Sequence, residues 1–198
     1  MKNSKITVLT ECAVMVALAF ALSSAKLYEM PLGGSVTVAS MLPIMLIGVK
    51  HGALIGVGTG FVYSLTQIFQ ALVEGNVFPY CETGATLVIC VVFDYVLPFT
   101  ILGLAGMFKN SKIFKNQEIA FYVGMVLVVL VRFLSHFVTG VAIWGQWAPD
   151  GMGKYLYSFL YNGGFLSFDF IICLVCATLM LRKNELRRLV GIAPLKNN

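Results

Sequence analysis

The chain has 198 residues, of which 59% are hydrophobic and 12% charged, with a mean hydropathy of +0.86. Soluble domains carry about 25% charged residues, so this composition excludes an ordinary cytosolic globule, and the high hydrophobicity excludes a disordered chain. The net charge of +5 would point to nucleic acid on a soluble protein, but membrane proteins gather Lys and Arg in cytoplasmic loops.

The expected fold is an all-α integral membrane protein with six transmembrane helices and both termini cytoplasmic. The length leaves room for six helices of about 20 residues and short connections. The first apolar run, 6–25, follows Lys2 and Lys5 and has no clear cleavage site, so it reads as a retained helix. A polar stretch at 26–35 holds Pro31 and the pair Gly33-Gly34. The second run, 36–49, is short for a span and stops at Lys50-His51. The third is 52–73, followed by a loop with Glu74, Pro79 and Glu82. The fourth, 84–108, is interrupted by Asp94 and Pro98. A basic connection leads to the fifth run, 119–144, interrupted by Arg132 and His136. The sixth, 156–181, contains Asp169 and precedes a basic tail. The whole chain, 1–198, reads as one membrane domain.

Orientation follows from the basic residues. With the N-terminus inside, the inner segments hold Lys2, Lys5, Lys50, Lys109, Lys112, Lys115, Arg182, Lys183, Arg187, Arg188 and Lys196, whereas the outer loops hold Lys26 and Lys154. This asymmetry is a positive-inside signal and removes nucleic acid as a partner. The five cysteines are odd in number and mostly sit in apolar runs, against a disulfide framework. Cys173 and Cys176 form a C-x-x-C that reads as apolar packing. Two small-residue seams stand out: Ala13, Ala17, Ala21 and Ala25 on the first helix, and Gly52, Gly56 and Gly60 on the third. Such seams let helices approach closely in lipid, either within this chain or against another membrane subunit.

Ionisable residues inside spans are functional candidates because an unpaired charge in hydrocarbon is costly. At ~1.5 Å per residue, Asp94 and His136 fall in a shallower layer than Arg132 and Asp169. Arg132 and Asp169, on antiparallel neighbours, are expected to form a structural pair. Asp94 is then left to hold a cationic ligand, the competing readings being a protonated carboxyl or a pair with Arg132. His136, Gly140 and Trp144 recur every four residues, leaving a notch between an imidazole and an indole that suits a planar ring; an aromatic face also favours a cation. Tyr157, Tyr161 and Asn162 cluster at the start of the sixth helix. The bland reading of Trp144, Trp147, Tyr155 and Tyr157 is an interfacial aromatic belt.

The chain has no P-loop, no H-E-x-x-H and no G-x-S-x-G. His51 and His136 lie on opposite sides by this topology, which speaks against a two-histidine metal site. No enzyme, metal or cofactor is expected.

Several segments together resemble the thiamine-specific substrate-binding (S) component of energy-coupling factor transporters. They are Pro31-Leu-Gly-Gly-Ser35 with Leu42-Pro-Ile44, Phe93-Asp-Tyr95, Gly103-Leu-Ala-Gly106, Arg132-Phe-Leu-Ser-His-Phe137 with Gly140, Ile143-Trp-Gly-Gln146 and Tyr157-Ser-Phe-Leu-Tyr-Asn162. The resemblance implies a prokaryotic-type plasma-membrane protein that captures thiamine from outside and hands it to an ATP-driven module of a T subunit and two ATPases. It implies ligand contacts from Asp94, Tyr95, His136, Trp144, Tyr157 and Asn162, with Gly33, Gly34, Gly140 and Tyr161 as further pocket or lid positions. It also implies that the ridge of Ala13, Ala17, Ala21 and Ala25 docks the T subunit. The alternatives are an S component for another ring compound (riboflavin, pyridoxine or hydroxymethylpyrimidine) and a stand-alone proton-coupled transporter using Asp94, Arg132 and Asp169.

Overall fold

The computed structural model describes residues 4–195; Lys2 and Lys196 of the charge count lie outside the described residues. The protein is mostly helical. Helix α1 (Lys5–Ser24) starts where the Ser4 side chain accepts the Thr7 N–H at 3.1 Å, satisfying one of the orphan donors of a first turn. A β-hairpin follows, β1 (Lys26–Glu29) and β2 (Ser35–Thr37), antiparallel with Tyr28 opposite Val36. Its turn needs left-handed backbone at Leu32 (φ 66°) and Gly33 (φ 95°).

The second apolar run is therefore not one helix. Val36, Thr37 and Val38 are β-branched and favour extended backbone, and Val36 and Thr37 belong to β2; only Leu42–His51 is helical, as α2. Pro43 fits its first turn, where a missing N–H costs nothing. Every residue from Leu42 to Val49 is buried, so α2 is a central post. Gly52, at φ 92°, reverses the chain into α3 (Ala53–Glu74), which ends on the left-handed Gly75, as helix C-termini commonly do.

Helix α4 runs from Gly84 to Gly106 and changes winding along its length. It is α-helical to Cys90, π-helical over Val91–Val96, α-helical over Leu97–Thr100 and 3-10 helical over Ile101–Gly106. Pro98 accounts for the wide segment, because its ring clashes with the carbonyl four residues back, that of Asp94, and it offers no N–H. Then come α5 (Gln117–Ala142), a 3-10 turn at Trp144–Trp147, α6 (Lys154–Leu181) and the short α7 (Asn184–Leu189). Four helices, α1, α4, α5 and α6, are long and apolar enough to cross a membrane.

The glycine seam of α3 serves packing within the chain. A side chain at Gly103 would run into the Gly56 backbone, and one at Gly60 into the carbonyls of Phe99 and Thr100; Gly52 meets nothing. Backbone contact of this kind holds α2, α3 and the second half of α4 together. By contrast, Ala13, Ala17, Ala21 and Ala25 are all exposed, while Val16, Ala19 and Ser23 turn inward.

Candidate ligand-binding site

The π-helical segment of α4 sets the site. A π-turn aims the Leu97 N–H at the Val92 carbonyl. The Phe93 carbonyl would next pair with residue 98, but Pro98 has no N–H. Ser135 Oγ on α5 donates to that carbonyl at 2.5 Å, satisfying a half-buried acceptor. The widened turn presents Asp94 toward α5.

Asp94 is held by three donors. Its Oδ1 accepts from His136 Nδ1 at 2.9 Å and from the Thr139 hydroxyl; its Oδ2 accepts the Trp144 indole N–H at 2.9 Å. A carboxylate only accepts, so a His136 proton sits on Nδ1. The ring's Nε2 has no protein partner. Trp144 does not lie on the continuing face of α5 as its spacing suggested. The helix ends at Ala142, and the 3-10 turn swings the indole onto Asp94. His136 and Trp144 thus bind opposite oxygens of one carboxylate.

On α6, Asn162 Nδ2 donates to the His136 carbonyl at 3.1 Å and to Ser158 O at 3.0 Å, so its Oδ1 remains available. Gly140 permits this crossing, since a Cβ there would meet Ser158 and Asn162. Tyr161 reaches the hairpin turn. Its hydroxyl donates to the Pro31 carbonyl and accepts the Gly34 N–H at 2.9 Å. A side chain at Gly34 would strike the Tyr161 ring.

Arg132 and Asp169 do not form the expected direct pair. Asp169 Oδ1 accepts from Thr37 N (2.9 Å) and Thr37 Oγ1 (2.8 Å) at the end of β2. The Arg132 guanidinium lies 4.3 Å from the Phe99 ring centre, and its Nε and Nη1 have no partner. No ion pair joins the two side chains. Thr37 wins Asp169 because it offers two neutral donors at contact distance, one of which, its backbone N–H, needs a partner.

Most of these residues line one cavity, about 960 Å³ of space including its mouth. Asp94, Tyr95, His136, Trp144, Tyr157, Asn162, Gly33, Gly34, Gly140, Tyr161, Arg132 and Asp169 are brought together there. Ser23 of α1 and Gln67, Gln70 and Glu74 of α3 complete the wall, so it is not confined to α4–α6. The α3 contribution was readable as polar residues at i, i+3 and i+7 in an apolar helix, one face by spacing. Thr139, three residues past His136, was readable in the same way.

The hairpin roofs the cavity and is clasped from the side. Lys26 Nζ bridges Glu74 at 2.7 Å and Glu29 at 2.9 Å, and Asn76 donates to Glu29 at 2.9 Å. Burial works against the Lys26 ammonium, but the bonds and charges of Glu74 and Glu29 outweigh it and hold its pKa above the ordinary 10.5. Three lining carboxylates (Asp94, Asp169, Glu74) face two lining permanent cations (Arg132, Lys26) and the His136 imidazole.

Residues 9–188 match the family model described as thiamine transporter protein, Thia_YuaJ. The chain is similar to "Thiamine transporter ThiT" of Bacillus subtilis, 33% identical over 188 residues, covering 90% of this chain and 92% of the relative. It is also similar to "Thiamine transporter ThiT" of Lacticaseibacillus paracasei, 24% identical over 91% of this chain and 89% of the relative. Its fold resembles the solved structure of ThiT from Listeria monocytogenes, with a TM-score of 0.70 and 22% identity over 93% of this chain and 98% of that one.

Proposed function

This chain belongs to the Thia_YuaJ family of thiamine transporter proteins, and from that premise we propose that it is the thiamine-capturing subunit of an importer, binding its ligand at Asp94. It is a multi-pass cell-membrane transport protein and not an enzyme. The observation that carries the proposal is the setting of Asp94, which is fixed by an imidazole, a hydroxyl and an indole, none a permanent cation, in a cavity lined by more carboxylates than permanent cations.

Thiamine is a singly charged cation built of two linked aromatic rings, so it brings a permanent cation to that setting. An electron-rich ring also attracts a cation within ~6 Å of its centre, and Trp144, Tyr95, Tyr157 and Tyr161 all line the cavity. Asn162 Oδ1 is an unclaimed acceptor suited to an exocyclic amino group. Charge-assisted hydrogen bonds are roughly twice as strong as neutral ones, so a small ligand gains affinity from few contacts.

In this reading the bundle has six spanning segments, α3 and the β2–α2 pair joining the four long apolar helices. Both termini are cytoplasmic, and the hairpin lies outside as a lid over the ligand. The exposed ridge of Ala13, Ala17, Ala21 and Ala25 supports a docking face for a T subunit, which with two ATPases supplies the energy this chain has no P-loop to provide. The test is a titration of purified protein with thiamine and riboflavin, read by tryptophan fluorescence. Tight binding of thiamine alone supports the reading; equal binding of the neutral rings of riboflavin overturns it.

A further inference from the structure

We propose that Cys81 and Cys90 form a redox modification site, in which an external low-molecular-weight disulfide cross-links them and pins the loop after α3 to the α4 wall of the cavity. The two residues are nine positions apart, one in the loop and one in the second turn of α4. The loop folds down onto the helix: Phe78 lies 5.3 Å from Tyr95, centre to centre. Val77 is buried with Cys90 and Ile143, and Cys81 packs against that same cluster. Cys81 and Cys90 thus belong to one small packed cluster. The remaining cysteines lie in α1 and α6, and all five are reduced here.

Their exposure divides the labour. Cys81 is partly exposed and Cys90 fully buried. The Cys81 thiolate attacks a reagent disulfide RSSR, forming a mixed disulfide and releasing RS⁻. Cys90, losing its proton, attacks the Cys81 sulfur, closes the internal S–S bond and expels the second RS⁻. Two protein thiols are oxidised and one RSSR is reduced to two RSH. Burial pushes the Cys81 thiol up, so the first step quickens with rising pH, since the thiolate is the nucleophile.

The consequence falls on the cavity. Cys90 precedes Asp94 by four residues, one turn along α4, and Val77 and Asn76 of the loop line the cavity. A cross-link fixes the loop to the helix that carries Asp94 and slows ligand exchange. Access from outside and the identity of the ligand rest on the function proposed above; the cross-link itself does not.

The test uses the full chain, reduced and then treated with oxidised glutathione, denatured, alkylated and digested with trypsin. Residues 51–109 form one tryptic peptide containing Cys81 and Cys90 and no other cysteine. The expected result is that peptide unalkylated, two hydrogens lighter, and doubly alkylated after reduction. Cys81→Ser leaves Cys90 alkylated, and Cys90→Ser halts at a Cys81–glutathione adduct. Thiamine release from oxidised protein is about tenfold slower than from reduced protein, and the double serine variant shows no such change. A doubly alkylated peptide after oxidation, or a persistent adduct on Cys81 in the unsubstituted protein, overturns the site. A cross-link with unchanged release overturns the pinning. Absence of any thiamine binding contradicts the proposed function while the peptide masses still decide the cross-link.

Discussion

The Trp144 indole N–H donates to Asp94 Oδ2 at 2.9 Å, on the carboxylate oxygen opposite the one taken by His136 and Thr139. An indole is therefore part of the charge site as well as a cavity wall. The chain has two tryptophans, and Trp147 packs beside Trp144 at 5.9 Å but does not line the cavity. Ligand-dependent fluorescence change is expected to persist in Trp147→Phe and to vanish in Trp144→Phe. Trp144→Phe also strips one hydrogen bond from a charged group, so affinity falls by roughly tenfold or more. Calorimetry checks the affinity; a full fluorescence response in Trp144→Phe contradicts the assignment.

Tyr161 is the inner anchor of the hairpin turn. Tyr161→Phe keeps the ring and removes both bonds, to the Pro31 carbonyl and from the Gly34 N–H. Each ordinary hydrogen bond contributes about 0.5–1.5 kcal/mol, so loss of both is expected to quicken ligand dissociation by about 5- to 150-fold. Stopped-flow release after mixing with excess competitor measures it. Unchanged release would show that the hairpin does not gate the cavity.

The outer clasp sets a pH limit. Because the folded protein raises the Lys26 pKa above 10.5, the clasp's contribution is fully present below the unfolded value. It is lost as pH rises through the higher folded value. Dissociation is expected to show no lysine titration up to about pH 10 and to accelerate beyond it. Lys26→Gln removes that alkaline acceleration and raises the rate at neutral pH. A Lys26→Gln profile identical to that of the unsubstituted protein contradicts the clasp.

Ser135 and Pro98 act together through the Phe93 carbonyl. Ser135→Ala leaves that half-buried acceptor without its partner and is expected to cost about 1 kcal/mol, seen as a lowered thermal midpoint in detergent. Pro98→Ala restores an N–H and lets the π segment tighten. The Ser135→Ala penalty is then smaller in the Pro98→Ala background. Additive effects in the double variant would contradict the coupling.

Long apolar runs made four of the membrane helices legible from composition, because hydrocarbon demands continuous apolar faces. The hairpin was not legible: β1 and β2 are short, and Val36 merged with the apolar run of α2. Pro98 was visible as an interruption, but the widening of α4 depends on Ser135 arriving from another helix. The partner of Asp169 was hidden for the same reason, since Thr37 donates through a backbone N–H in a segment read as helical. The spacing of His136 and Trp144 suggested two walls of a notch. That they converge on one carboxylate follows from α5 stopping at Ala142, which neither a Gly nor a Pro at that position announces. The Lys26–Glu74 clasp joins the start of β1 to the end of α3, and no local periodicity encodes such a pair.

The most direct measurement compares thiamine binding to the unsubstituted protein and to Asp94→Asn by calorimetry at matched salt. Asn keeps the size and one acceptor but removes the charge, and a lost charge-assisted bond costs about 1.5–3 kcal/mol. The account predicts an affinity at least about tenfold weaker, with pyrithiamine-like cations weakened in parallel and uncharged two-ring analogues little affected. Equal loss for charged and uncharged ligands, or no loss for thiamine, would contradict the claim that Asp94 supplies the charge this ligand completes.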